Sequence, residues 1–314
     1  MTGPTLTLAA EPRSARLGAS EVAAVLGLSP WRTPFGVWAA KCGGLESAAE
    51  TPVTRGGHYL EAGLLRWLGD EVGAAAVVLG EPFDGPAVVH PGGRWPHVSA
   101  HPDGYVLVAG AWLCAEVKTA RQAAEWGDGP DDVPAHYWLQ AQVQATLAGL
   151  GVRLGAYLAL REEFRVYALT PDPETLAEAL DRAEDWWLRH VVGDLPPDID
   201  GSDDARRWLL ARHPVHRSPL RAATAVEAEL VRALADAKED RKGAEAEEAR
   251  LSALVQAAIG DAEGIQLDGG RATWKAQSSG RVDIARLKKE RPDLAAEFTT
   301  TTTTRVLRVA MEER

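Results

Sequence analysis

Apolar positions change period along this chain, and each change marks an element. Residues 18–28, GASEVAAVLGL, carry apolar residues at helical spacing, with Ser20 as the expected N-cap and Gly27 near the end. SPWRTPFGVWAAKCGG reads as a turn into a second helix that holds Trp38 and stops at Gly43-Gly44. Between 54 and 73, Tyr59, Leu60, Leu64, Trp67 and Leu68 fall at helical intervals. Short apolar or alternating runs near 75–79, 86–90, 97–100, 104–109 and 112–117 predict strands. The last two flank the turn signal Ala109-Gly110, so they predict a β-hairpin. Residues 134–150 predict a glutamine-rich helix opened by Pro134. A second hairpin is expected over 152–160 and 164–169, then a helix over 173–192 with Trp186, Trp187 and Leu188 as its bulk.

The loop GDLPPDIDGSDD marks a boundary. It separates a main domain, 1–205, from an extension, 206–314. Residues 219–258 are rich in Ala, Glu and Leu and predict one long helix, or two helices breaking near Gly243. A small hairpin turning at Gly269-Gly270, a short helix over 283–297 and a final strand in TRVLRVAM complete the extension. The fold expected is α/β: a central mixed sheet with helices on both faces, followed by a helical plus small α+β tail.

Composition narrows the classes without choosing one. The 314 residues allow one sizeable domain with an appendage. No run of eighteen apolar residues offers a membrane span, and the start lacks the basic and apolar regions of a secretory leader. Two cysteines in unrelated contexts, Cys42 and Cys114, imply a reducing compartment, so a cytoplasmic protein is expected. A net charge of −11 argues against a protein that coats nucleic acid. It leaves room for an enzyme with a local basic channel, because local field steers a ligand more than total charge does.

The candidate chemistry lies in Asp103, a spacer of twelve residues, then Glu116-Val117-Lys118. Strand residues i and i+2 share a face, so Glu116 and Lys118 point together while Val117 faces a core. Two carboxylates and an amine at one spot suit a hard divalent cation with a water beside it. Short motifs of this kind also arise as surface pairs next to turns, so the triplet needs its context.

That context is a resemblance. GASEVAAVLGLSPWRTPFGVWAAKCGG, GHYLEAGLLRWL, SAHPDGYVL with LCAEVKTA, and VPAHYWLQAQVQATLAGLG stand in the order seen in the YqaJ-like viral recombinase nucleases. These are similar to the lambda-exonuclease family within the PD-(D/E)xK superfamily, and the resemblance covers about residues 10–165. It implies a restriction-endonuclease-like sheet and a Mg²⁺-dependent deoxyribonuclease, with Mn²⁺ able to substitute. The activity implied is a 5′→3′ exonuclease on double-stranded DNA ends that acts in recombination.

By the same resemblance, Asp103 and Glu116 would hold the metal, with the Val117 carbonyl and Glu61 as further ligands. Lys118 would orient or deprotonate the attacking water. Gln142 matches the family's active-site glutamine by spacing from Tyr137 and Gly149; Gln140 is the next candidate, and Gln144 reads as a polar face. Ser20 with Arg13, or with Arg16 in its place, would hold a 5′-phosphate, and Arg121 could add charge there. Ala111 and Ala124 stand where the lambda-type pocket uses other side chains, which puts that pocket in question. A single-strand annealing partner and a homo-oligomeric ring trimer are implied by resemblance alone. Alternatives are an endonuclease or nickase of the same superfamily, and a non-catalytic DNA-end or partner-binding adaptor.

Overall fold

The computed structural model describes residues 3–9, 15–45, 51–80, 85–121, 123–300 and 304–311. The chain divides into two compact units that meet at residues 212 and 213.

The first unit begins with β1 (Leu17–Gly18), α1 (Ala19–Val25), α2 (Pro34–Lys41), α3 (Pro52–Glu71) and β2 (Ala76–Leu79). Next come β3 (Val98–Ser99), β4 (Gly104–Val108), β5 (Ala111–Ala120), α4 (Ala135–Ala148), β6 (Gly151–Leu158) and β7 (Glu163–Tyr167). It closes with α5 (Pro173–Trp187), which runs into a π-helical turn over Leu188–Val192, and α6 (Asp203–Arg212). The central sheet has the order β2-β4-β5-β6-β7. Its pairs are antiparallel except β5 with β6, which are parallel and joined through α4. The expected mixed sheet with helices on both faces is therefore present.

Strand alternation sorts β5 into two environments. Cys114 belongs to the larger core, which α1, α4 and α5 share with Leu154, Ala156 and Leu158 of β6. Ala115 and Val117 turn the other way, against Leu64, Leu65 and Leu68 of α3. The hairpin between β4 and β5 closes in two residues, Ala109 at φ +50° and Gly110 at φ +82°. Positive φ at both central positions matches the twist of the flanking strands.

A third cluster packs Phe35 and Trp38 of α2 against Trp208 and Ala205 of α6. The Trp208 indole N–H donates to the Gly43 carbonyl at 3.0 Å. The boundary expected after residue 205 thus falls inside α6, a helix that the sequence reading did not separate from its loop.

The second unit consists of α7 (Ala225–Ile259), β8 (Gly264–Leu267), β9 (Gly270–Thr273), α8 (Ile284–Glu290) and α9 (Pro292–Glu297). α7 passes Gly243 without a break. One exposed glycine costs a helix only about 1 kcal/mol. Thr224 and Glu227 cap the start, and the pairs Arg241–Glu245 and Arg250–Glu247 brace the exposed surface. Three expectations are corrected here and in the first unit. Residues 86–90 form single bridges at Val88 rather than a strand. The helix over 283–297 is two helices, the second opened by Pro292. The described part of TRVLRVAM, 304–311, forms no strand, because β-branched residues make one only where a partner edge pairs with them.

Candidate active site

Antiparallel register sets the first two acids side by side. Gly104 pairs with Ala115, so Asp103, one residue earlier, lies level with Glu116. The Val117 N–H donates to Asp103 Oδ2 at 2.8 Å. Glu116 is fully buried and points to the face that α4 covers. A carboxylate there needs donors, since an unpaired buried charge is costly. Three are supplied: Lys118 Nζ and Gln140 Nε2, the latter at 2.5 Å, both donate to Glu116 Oε1, and Gln144 Nε2 donates to Oε2 at 2.7 Å. Lys118 Nζ also stands 5.2 Å from the Tyr137 ring centroid, within cation–π range.

Helix phase decides which glutamines arrive. Tyr137, Gln140 and Gln144 lie at i, i+3 and i+7, one stripe of α4. Gln142 lies off that stripe, and its Nε2 donates to the Thr170 carbonyl at 2.8 Å. The preference for Gln142 is therefore corrected: the chain brings Gln140 and Gln144 to Glu116 and uses Gln142 to tie α4 to the segment after β7. Gln144 and Tyr137 were missed as site members, although the i, i+4 spacing of the two glutamines carried the signal. Gln144→Ala should weaken any chemistry at Glu116 by about tenfold or more, since a lost hydrogen bond to a charged group is worth ~1.5–3 kcal/mol. Gln142→Ala should leave the rate close to wild type, and initial rates on the two variants check this.

The electrostatics are those of crowded acids around one cation. Burial, then the Glu116 charge, pushes the Asp103 carboxyl well above the usual aspartate range, and Lys118 only partly offsets this. Burial opposes charge on Lys118, but Glu116 and Asp103 outweigh it and hold its amine above the ordinary lysine value. Glu61, half-buried on α3, is raised by burial and by Glu116. Burial and the same carboxylate push the Cys114 thiol up to about 12. Glu61 thus shares the field of the cluster, though its carboxylate makes no hydrogen bond to Glu116. Among the described residues, no three His, Cys, Asp or Glu side chains are gathered tightly enough to hold a metal ion as they stand. The Asp103 and Glu116 carboxylates are instead turned onto protein donors.

The expected phosphate pocket is not assembled in the same way. Gly18, not Ser20, caps α1, because Leu17 and Gly18 are already extended as β1 against Val98 and Ser99. Glu21 completes the cap by accepting from the Gly18 N–H at 2.8 Å, and it also pairs with Lys41 at 2.8 Å. Ser20 is an exposed residue inside the helix. The Arg16 guanidinium donates to the Pro96 carbonyl. Arg13 lies outside the described residues. Arg121 is exposed just past the end of β5.

Residues 10–151 match the sequence profile of the YqaJ-like viral recombinase domain. Over this stretch the chain is similar to YqaJ-like viral recombinase domains. The stretch contains Glu61, Asp103, Glu116, Lys118, Tyr137, Gln140 and Gln144, and it ends at the first residue of β6. Thr170, the partner of Gln142, lies beyond the matched stretch. A protein of Bacillus subtilis strain 168, the uncharacterized protein YqaJ, is 24% identical over 287 residues, covering 88% of this chain and 86% of that protein. Among solved structures, an alkaline exonuclease from Laribacter hongkongensis, LHK-Exo, aligns with a TM-score of 0.45 and 18% identity over 58% of this chain and 90% of its own. A structure of LHK-Exo in complex with dAMP aligns with the same values.

Proposed function

We propose that the YqaJ-like domain is a divalent-metal-dependent deoxyribonuclease that hydrolyses phosphodiester bonds from the ends of double-stranded DNA with 5′→3′ polarity. The observation that carries this reading is the fully buried Glu116, held by Lys118 and two glutamines, with Asp103 level with it on the next strand. A merely structural glutamate has no use for a second, electrostatically unfavourable carboxylate beside it.

The donor set fits a hard cation. Asp103, Glu116, the Val117 carbonyl and Glu61 offer oxygen, and Gln144 Oε1 is a buried amide oxygen with no hydrogen-bond partner. Oxygen-only donors suit Mg²⁺ or Mn²⁺ rather than zinc. When bound, such an ion would offset the acids' charge and act as a Lewis acid toward the phosphate. Lys118 keeps its proton against Glu116, so it serves as a positive donor toward a phosphate oxygen and the attacking water. Gln140 and Gln144 fix the Glu116 rotamer on both oxygens and keep it aimed. Arg121, exposed three residues past Lys118, would add positive charge toward the DNA backbone. Digestion of one strand leaves the single-stranded product that a strand-annealing protein consumes, which fits a role in recombination.

The test is digestion of end-labelled linear duplex and of closed circular duplex, with and without Mg²⁺. Linear DNA should be degraded only with the ion, and circular DNA should persist. Glu116→Gln should be inactive on both. Full activity in that variant sinks the nuclease reading, and cutting of circles would convert it to an endonuclease.

A further inference from the structure

The large aliphatic residues of α7 are arranged as a palindrome. There are eight: Val226, Leu230, Val231, Leu234, Leu251, Leu254, Val255 and Ile259. They sit in two groups at the helix ends, with none from 235 to 250. The midpoint between Lys242 and Gly243 relates them in pairs: Val226 to Ile259, Leu230 to Val255, Val231 to Leu254 and Leu234 to Leu251. Six of the eight are exposed, although α7 is 35 residues long and buries only Ile259.

We propose that α7 pairs antiparallel with the α7 of a second copy of this chain, about a two-fold axis at residues 242 and 243. A two-fold axis sets each residue against its palindromic mate, so every large aliphatic meets another. The 3-4 spacing of Leu230, Leu234, Ala237, Arg241, Ala244, Glu248, Leu251 and Val255 supplies one continuous seam. In its middle, large meets small: Arg241 faces Ala244 of the other copy, and Glu248 faces Ala237. Arg241 and the other copy's Glu248 are then one turn apart, within reach of an ion pair.

Charge follows the same symmetry. Lys238 faces Glu247, while most other charged residues of α7 face Ala, Gly or Gln. Asp240 against Glu245 is the one like-charged pair, and Glu245 already pairs with Arg241 of its own helix at 2.9 Å. A groove of about 600 Å³ lies along the C-terminal half of the seam, between Leu251 and Val255 on one side and Thr273 and Trp274 on the other. Trp274 is half exposed there. In the antiparallel pair, Leu230 and Leu234 of the second copy enter this groove. Glu247 and Glu248 on its rim disfavour nucleic acid as the occupant.

The experiment uses the full chain with Cys42→Ser, which removes the exposed thiol. Leu234→Cys with Leu251→Cys should crosslink into a covalent dimer on mild oxidation. Leu234→Cys alone should not, because the axis holds the two copies of that residue about 25 Å apart. In the chain without added cysteines, Leu234→Glu with Leu251→Glu should lower the mass in sedimentation by a factor of about two. The pairing is overturned if Leu234→Cys alone crosslinks, which means parallel helices, or if the double cysteine variant does not. It is also overturned if the glutamate variant sediments as wild type does, including as a monomer.

Discussion

Lys118→Met is expected to slow DNA digestion by about 10³-fold, the scale of losing one preorganised charged donor. It is also expected to cost about 3 kcal/mol of stability, because it strips the cation from a fully buried carboxylate. Gln140 and Gln144 remain, but two amides cannot replace a charge. In a domain of this size, that cost lowers Tm by roughly 6–12 °C. The pH profile follows from the sign of the shift. Lys118 has its pKa raised in the folded state, so its contribution is complete below the unfolded lysine value of about 10.4 and is lost as pH climbs through the folded one. The Tm gap between wild type and variant should therefore stay flat from pH 6 to 9. Calorimetry and single-turnover kinetics read both effects. An unchanged Tm would show that the fold does not depend on the Lys118 contact with the buried Glu116.

Asp103→Asn should move activity and stability in opposite directions. Digestion should be lost, because the second carboxylate is gone. Stability without divalent ions should rise by a few degrees at neutral pH, since the substitution relieves the repulsion with Glu116 and an asparagine oxygen can still accept from the Val117 N–H. The sign is that of an acid whose folded pKa is raised. The penalty is absent below the unfolded aspartate value of about 3.9 and grows as pH rises through the folded value. The gain from Asp103→Asn should thus be small near pH 4 and reach a plateau at higher pH. Mg²⁺ should raise the wild-type Tm and leave the variant's unmoved, because a ligand stabilises only a state that binds it. A variant less stable than wild type at pH 7 would contradict the crowded-acid account.

Much of this centre was legible because strands repeat every two residues. Once Ala109-Gly110 is taken as a turn, Asp103, Glu116 and Lys118 follow without further information. Helix phase is harder. Counting from Tyr137 and Gly149 favours Gln142, but which stripe of α4 faces β5 is settled by Leu139, Ala141, Val143 and Leu147 packing into the core. Serine's preference for N-caps suggested Ser20, yet the β1 pairing with β3 extends Gly18 and moves the cap there. α6 left no periodic signal of its own. Its anchor is Trp208 seated on Phe35 and Trp38, a contact across some 170 positions that no local pattern reports.

The two-residue turn at Ala109-Gly110 also gives β5 a parity. Past the hairpin, positions 116 and 118 answer to charge, and positions 115 and 117 answer to methyl volume against α3. One residue added to that turn would exchange the roles, sending Glu116 among the apolar side chains of Leu64, Leu65 and Leu68. Substitutions along one ten-residue strand can therefore drift on two separate schedules, one set by the chemistry and one by the core. A change in loop length is the event that forces both at once.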